Sequence, residues 1–173
     1  YYGGIAESMI QFVSDFSLII PSFVVAMILS ALFGFSVTMA GVVFGIWQMG
    51  GYLNQAMVLT QSLRKQEFIE AEQVLGLSKP RIIFFHVLPN ICRQLFVYMG
   101  NKAATVVNLY AGLAFIGIGT DITNPDWGTL LYQYRIYMTT YPRLVLYPTL
   151  FIAVLTVCLH ATFDSSKLEK GEM

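Results

Sequence analysis

The stretch LVLYPTLFIAVLTVCLHATF, residues 144–163, runs for twenty residues without an Asp, Glu, Lys or Arg side chain. A helix of about 20 apolar residues is long enough to cross the roughly 30 Å hydrocarbon core of a bilayer. Similar stretches occupy residues 16–35, 37–53 and 95–117, and their only charged side chain is Lys102. Transmembrane strands would instead alternate polar and apolar residues over segments of about ten. The sequence therefore predicts an all-α polytopic membrane bundle with about four transmembrane helices in this segment.

The composition of the whole chain supports a membrane protein. Of its 173 residues, 56% are hydrophobic and 12% are charged, whereas soluble domains carry roughly 25% charged residues. Ten basic residues balance ten acidic ones, and mean hydropathy is +0.64. The chain is therefore too apolar for disorder, and it lacks the basic patch that would indicate a nucleic-acid partner. Because it begins at Tyr1 without a signal-peptide pattern, we expect further spans upstream.

Basic residues indicate which connections face the cytoplasm. Residues 54–94 hold five Lys or Arg side chains and residues 117–143 hold two. The tail after the last apolar stretch adds Lys167 and Lys170. We therefore expect the 54–94 loop and the tail to be cytoplasmic and the 117–143 loop to be external. Four alternating spans satisfy this arrangement.

The long cytoplasmic loop is patterned as two helices. Residues 61–75 place apolar side chains among charged ones, and Gly76 can end that helix in the left-handed conformation. Ser78 suits the N-cap of a second helix, with Pro80 in its first turn and Pro89 at its end. This pattern fits a docking element at the membrane surface, and it equally fits a solvated connector.

Polar residues follow one face of the third apolar stretch. Asn101, Thr105 and Asn108 lie at helical spacing. Polar side chains in hydrocarbon usually face a bundle interior or a water-filled path. Two roles stay open for these residues, lining of a translocation pathway and hydrogen bonding between helices.

The stretch FIEAEQVLGLSKPRIIFFHVLPN, residues 68–90, resembles the EAA loop of ABC importer permeases. The family's Glu-Ala-Ala, Gly and Leu-Pro elements match this chain at the family's spacing, except that Glu72 replaces the second Ala. The ending HVLPN is similar to the peptide/nickel branch, which imports dipeptides, oligopeptides or nickel. The resemblance assigns coupling to ATPase subunits to Phe68, Glu70, Ala71, Glu72, Leu75, Gly76, Leu88 and Pro89.

Other segments resemble the same branch in the same order along the chain. The matching elements are YYGG at 1–4, Asp15, Pro21, LAFIGIG at 113–119, NPDWG at 124–128 and Asp164. The chain departs from the branch at Tyr110, where a Glu is frequent, and in its tail at 165–173. The resemblance also implies that two further spans precede this segment. Residues 1–173 would then form most of a single transmembrane domain.

The resemblance implies a multi-pass subunit of a bacterial or archaeal cell (inner) membrane that forms half of an import channel. Its partners would be a second homologous permease, two ATPase subunits that bind ATP and Mg, and an external solute-binding protein. The solute stays open among dipeptides, oligopeptides, nickel and metal chelates. Within this frame Asn101, Thr105 and Asn108 are candidates for the pathway lining.

Secondary transporters, channels and intramembrane enzymes are the alternative classes. No apolar stretch carries a central carboxylate for ion coupling, and no TVGYG-like filter occurs. HExxH, GxSxG and Walker A sequences are also absent. We therefore expect no catalytic residue, metal or cofactor in this chain, so that an ATP-driven role would require hydrolysis by another chain.

Three smaller features complete the sequence-based expectations. Gly41 and Gly45 form a GxxxG pair, which predicts close helix packing. His86 and His160 lie apart from each other and from carboxylate clusters, and are interpreted as structural. Trp127 and the tyrosines after it predict an interfacial aromatic belt or, alternatively, a contact with the binding protein.

Overall fold

The structure is a computed structural model that describes residues 1, 3–34, 36–123 and 125–163. Its regular elements within these residues are helical, which confirms the all-α prediction. In chain order they are α1 (Ile5–Ile19), α2 (Ser22–Phe33), α3 (Val37–Arg64), α4 (Glu67–Val74), α5 (Lys79–Ile82), a π turn (Ile83–Val87), α6 (Leu88–Phe115), α7 (Trp127–Tyr134), a 3₁₀ turn (Arg135–Tyr137) and α8 (Arg143–Thr162). The features predicted for Asp164, Lys167 and Lys170 lie outside the described residues.

Two helical segments of the described chain are long and apolar enough to cross a membrane, Lys79–Phe115 and Arg143–Thr162. Helices α1 and α2 qualify only together, as an interrupted pair that would make a third span. Helix α3 has 28 residues, but polar side chains such as Gln48 and Asn54 lower its mean hydropathy. It is therefore not among the candidate spans. By length and hydropathy the described residues therefore supply two or three candidate spans, fewer than the four predicted.

Proline 21 explains why the predicted span 16–35 is interrupted. Its backbone is extended, with φ −60° and ψ 126°, and α2 begins at the next residue. A proline inside a helix lacks the N–H donor and collides with the preceding turn. The indole Nε1 of Trp47 donates a hydrogen bond to the Ile20 carbonyl at 3.0 Å, which satisfies a carbonyl at the break.

One compact unit contains the described residues of Tyr1–Ile19 and Met49–Met99. Its core joins α4, α5, the π turn and the start of α6 through four buried aliphatic side chains: Ile69, Ile82, Val87 and Ile91. Helix α1 approaches the middle of α3 at Gly50, where an added Cβ would lie 1.6 Å from Ser17 Oγ. The loop predicted at 54–94 is therefore mostly helix, and only residues 65–66 and 75–78 lie between helices.

The second compact unit contains the described residues of Ile20–Gln48 and Gly100–Asp164. Ala26, Ala40 and Phe44 are buried in one cluster, which confirms that α2 and α3 form a helical hairpin. A second cluster joins α6, α7 and α8 through Ala111, Leu131, Val145 and Ile152. Apolar contacts of this kind fix the neighbours of α6 within this unit.

The predicted helix over 61–75 is wrong in its extent, because the chain breaks between Arg64 and Glu67. Helix α3 ends with basic Arg64, and α4 begins with Glu67 and Glu70 in its first turn. A basic residue favours a helix C-terminus and acidic residues favour an N-terminus. The charges therefore support two helices at this position instead of one.

Pro89 does not end a helix, contrary to the prediction. The π turn precedes it, and the Leu88 N–H bonds to the Ile83 carbonyl across this wider turn. A widened turn changes the register of the carbonyls that a proline ring would otherwise meet. The Asn90 side chain also donates to the His86 carbonyl at 2.7 Å. The chain therefore continues without interruption into α6.

The GxxxG pair does not mark a close contact within the described chain. An added Cβ at Gly41 or Gly45 would meet no heavy atom within 4 Å, whereas one at Gly50 would overlap Ser17. Neither Gly41 nor Gly45 therefore makes the predicted close helix contact with the described residues. The spacing of glycines shows where close approach is allowed, and the packing of α1 decides where it occurs.

Candidate functional site

The outer face of α4 is an exposed, partly apolar surface. Phe68 is 43% exposed and Leu75 is 77% exposed, and Glu70 and Ala71 between them are also exposed. Phe68, Ala71 and Leu75 form the edge that helical spacing predicts. We call Phe68, Glu70, Ala71 and Leu75 the coupling surface.

The turn after α4 is fixed by backbone geometry at Gly76. This glycine has φ +79°, in the left-handed region, as the sequence predicted. The Gly76 N–H bonds to the Gln73 carbonyl at 3.1 Å, and the Leu77 N–H bonds to the Glu72 carbonyl at 3.1 Å. These two bonds form a Schellman motif, which satisfies carbonyls at the end of the helix. Ser78 then precedes α5 at the N-cap position, although its side chain makes no capping hydrogen bond.

The inner face of α4 points into the core of its unit. Ile69 is fully buried, and Glu72 lies one turn later on the same face. The Glu72 carboxylate accepts a hydrogen bond from His86, with 2.8 Å between Oε1 and Nδ1. Glu72 is thus directed away from the coupling surface. The pairing joins residues far apart in sequence, so helical spacing gave no sign of it.

The other two predicted coupling residues belong to α6. Leu88 and Pro89 lie in its first turn, after the π turn, and both are exposed. They are separated from the coupling surface along the chain by α5. The structure therefore divides the predicted set into an outer surface on α4, an inward carboxylate, a glycine turn and the start of α6.

Five polar side chains of α6 and α8 come together in the second unit. Thr156 Oγ1 donates to Asn108 Oδ1 at 3.1 Å, and His160 Nδ1 lies 2.8 Å from Asn101 Oδ1. Thr105 bonds to the Asn101 carbonyl at 2.9 Å. We call these five residues the polar strip. Thr156 and His160 were missing from the sequence-based set, because nothing in the sequence shows which face of α8 meets α6.

A glycine allows α6 and α8 to approach beside the polar strip. An added Cβ at Gly100 would lie 2.2 Å from Phe163 Cβ. Small residues let helix backbones come close enough for short side chains to hydrogen-bond across the gap. Gly100 therefore helps to explain why Asn101 reaches His160. The Asn and His side chains of the polar strip are nevertheless exposed in the described chain.

Tyr110, the position at which the chain departs from the family pattern, holds the start of α7. Its hydroxyl donates to Asp126 Oδ2. Asp126 Oδ1 accepts from the Thr129 N–H at 2.7 Å and so caps α7. Trp127 stacks on Phe151 of α8, with ring centroids 5.6 Å apart. The tyrosine thus anchors the connection between α6 and α7 through an acidic N-cap.

Residues with metal-ligating side chains are dispersed. Within the described ranges, no group of three or more His, Cys, Asp or Glu side chains comes together. Cys92 and Cys158 are exposed free thiols.

The chain matches the family model of the binding-protein-dependent transport system inner membrane component over residues 1–166. It is 30% identical over 166 residues to the oligopeptide transport system permease protein OppC of Mycobacterium tuberculosis, covering 95% of this chain and 57% of that protein. The dipeptide transport system permease protein DppC of Alkalihalophilus pseudofirmus is 33% identical over 150 residues, which is 86% of this chain and 49% of that protein. The glutathione transport system permease protein GsiD of Escherichia coli is 26% identical over 164 residues, 95% of this chain and 54% of that protein. The chain spans about half the length of the curated relatives it matches. It belongs to the family of binding-protein-dependent transport system inner membrane components.

Proposed function

We propose that this chain is part of the permease subunit of an ATP-driven importer and forms half of a membrane pathway for peptides. The exposed outer face of α4, carried on a turn that leads into the long helix α5–α6, is the observation that supports this role most directly. The relatives named for oligopeptide, dipeptide and glutathione transport support a peptide solute. An external binding protein would deliver the peptide.

The proposed coupling step runs through the coupling surface. Phe68 and Leu75 would insert into an apolar cleft on a cytoplasmic ATPase subunit, and small Ala71 would allow close approach. Glu70 would pair with a basic residue of that partner, which fixes register more than it adds affinity. The two ATPase subunits would bind ATP and Mg and perform the hydrolysis. This chain would contribute motion of its helices and no covalent chemistry.

The proposed pathway is lined in part by the polar strip. Asn101, Thr105 and Asn108 offer neutral amide and hydroxyl groups, which can replace water around the amide groups of a passing peptide. Asn108 and Asn101 also bond to Thr156 and His160 of α8. This proposal therefore includes both roles considered from the sequence, pathway lining and hydrogen bonding between helices. A second homologous permease would complete the other half of the pathway.

Import into proteoliposomes tests the proposed function. The full-length permease, reconstituted with its second permease, ATPases and binding protein, should accumulate a radiolabelled dipeptide only when ATP and the binding protein are both present. Import driven by an ion gradient without ATP would instead indicate a secondary transporter. Passive flux without either component would indicate a channel.

The proposed topology predicts opposite labelling of two exposed positions. A single cysteine at Ser78 should react with an impermeant thiol reagent only from the cytoplasmic side, and one at Thr139 only from outside, because basic residues mark the α3–α6 connection as internal. Both positions are exposed, and the native Cys92 and Cys158 are first replaced by serine. Labelling of both sites from one side of intact cells would contradict this arrangement.

Replacing Asn108 by leucine tests the polar strip. We expect Asn108→Leu to lower peptide import about tenfold, because it removes an amide that contacts the solute, a loss on the order of 1.4 kcal/mol. Yield of the complex should change little, and its thermal midpoint should fall only slightly, because the bond from Thr156 is lost as well. A Val157→Leu control alters an exposed apolar residue of α8 and should import normally. Loss of stability with a normal import rate per complex would assign Asn108 to helix packing alone.

A further inference from the structure

The acidic residue at the position where the EAA pattern has its second alanine lies inside the fold. The Glu72 side chain is 15% exposed and His86 is 35% exposed, and 2.8 Å separates Oε1 from Nδ1. The second carboxylate oxygen, Oε2, is buried without a hydrogen-bond partner in the described part of the chain. A carboxylate charge that is shielded from water needs a hydrogen-bond donor beside it. His86 is therefore the side chain that compensates this half-buried charge.

The pair connects two elements that sequence alone would leave loosely joined. Helix α4 has eight residues, and a helix this short keeps its position only through tertiary contacts. Its inner face provides two such contacts, the buried side chain of Ile69 and the carboxylate of Glu72. His86 belongs to the π turn, where the i→i+5 bond widens the helix that becomes α6. Turns of this kind frequently mark functional positions in helices.

We infer that Glu72 and His86 are positioning residues, which hold α4 against the π turn so that displacement of α4 is passed to α6. This inference rests on the proposed function of the coupling surface. Neither side chain would touch the ATPase or the peptide. Glu72 faces inward, while Phe68 on α4 and Leu75, the residue that follows this helix, are exposed. The pair would therefore set the orientation of the coupling surface relative to the start of the membrane helix.

The two partners should respond differently to removal. In His86→Leu the Glu72 carboxylate loses its partner in a half-buried site, and an uncompensated charge favours movement of α4 into water. In Glu72→Ala no buried charge remains, and Ile69 still holds the helix. His86→Gln keeps a side-chain N–H donor. The double variant His86→Leu with Glu72→Ala removes both partners together and should be milder than His86→Leu alone.

The test measures peptides imported per ATP hydrolysed by the complete reconstituted complex. We expect His86→Leu to lower this ratio about tenfold, which corresponds to ~1.4 kcal/mol, while ATPase binding and thermal stability stay near wild type. Glu72→Ala should lower it about two- to threefold and the double variant should resemble Glu72→Ala. His86→Gln should stay within twofold of wild type. Glu67→Ala, which removes an exposed carboxylate from the same helix, is the matched control and should be unchanged.

Several outcomes would overturn the inference. A normal ratio in His86→Leu would mean that the pair does not position α4. A double variant as impaired as His86→Leu would mean that His86 acts independently of Glu72. Equal loss in Glu67→Ala would point to the net charge of α4, and loss of stability with an unchanged ratio would make the pair merely structural. Absence of ATP-driven import in the wild-type complex would instead contradict the proposed function itself.

Discussion

Replacing Gly76 by valine is expected to lower ATP-driven import at least tenfold while leaving the permease inserted in the membrane. The residue has φ +79°, and a Cβ in the left-handed region costs roughly 1–2 kcal/mol, with β-branched side chains least suited to it. Leaving that region would also break the two hydrogen bonds of the Schellman motif after α4. The coupling surface would then be misplaced. A conformational penalty of about 1.4 kcal/mol corresponds to a tenfold loss of import, and we expect at least that loss. Less ATPase should also co-purify with the permease.

An asparagine at the same position separates backbone conformation from side-chain size. An added Cβ at Gly76 meets no heavy atom of the described residues within 4 Å, so a clash with these residues does not cause the effect. Asparagine tolerates the left-handed region far better than valine, and Gly76→Asn should retain most of the import activity. Equal loss in both variants would indicate that the ATPase subunit contacts this position and tolerates no side chain there. Normal import in both would remove this turn from the coupling step.

The second large effect is expected at Gly50, where α1 and α3 approach. A Cβ there would lie 1.6 Å from Ser17 Oγ, 2.7 Å from Ser17 Cβ and 3.2 Å from the Ser14 backbone. Rotation of the Ser17 hydroxyl relieves the first overlap but not the others, so α1 must shift. Overpacking of this kind typically costs 1–3 kcal/mol. Gly50→Ala should therefore lower the thermal midpoint of the full-length permease in detergent by several degrees.

Gly45→Ala provides a control on the same helix with the opposite expected sign. Among the residues that the structure describes, no heavy atom lies within 4 Å of a Cβ at Gly45. Alanine is also favoured over glycine in a helix interior by roughly 0.8–1 kcal/mol. Its thermal midpoint should rise or stay unchanged. A decrease of similar size in both variants would mean that the contact of Gly50 with α1 does not limit stability.

Much of the chain's organisation was predictable because it is encoded locally. Long, predominantly apolar stretches determine α8 and most of α6, and the left-handed turn at Gly76 follows from the tolerance of glycine for positive φ. The breaks at Pro21 and between α3 and α4 were also encoded locally, by a proline and by the charges at helix ends. Mean hydropathy averages over such short breaks, and apolar spacing continues across them, so neither pattern reveals them.

The contacts of the candidate sites were decided only by tertiary structure. Helical spacing assigns Glu72 to a face of α4, but only the packing of Ile69 directs that face toward His86. In the same way, spacing identified Asn108, while the approach of α6 and α8 brought it to Thr156. The spacing of residues in the sequence shows which side chains share a face of a helix. Which faces meet depends on the combined fit of side chains from distant parts of the chain, and no single segment contains that information.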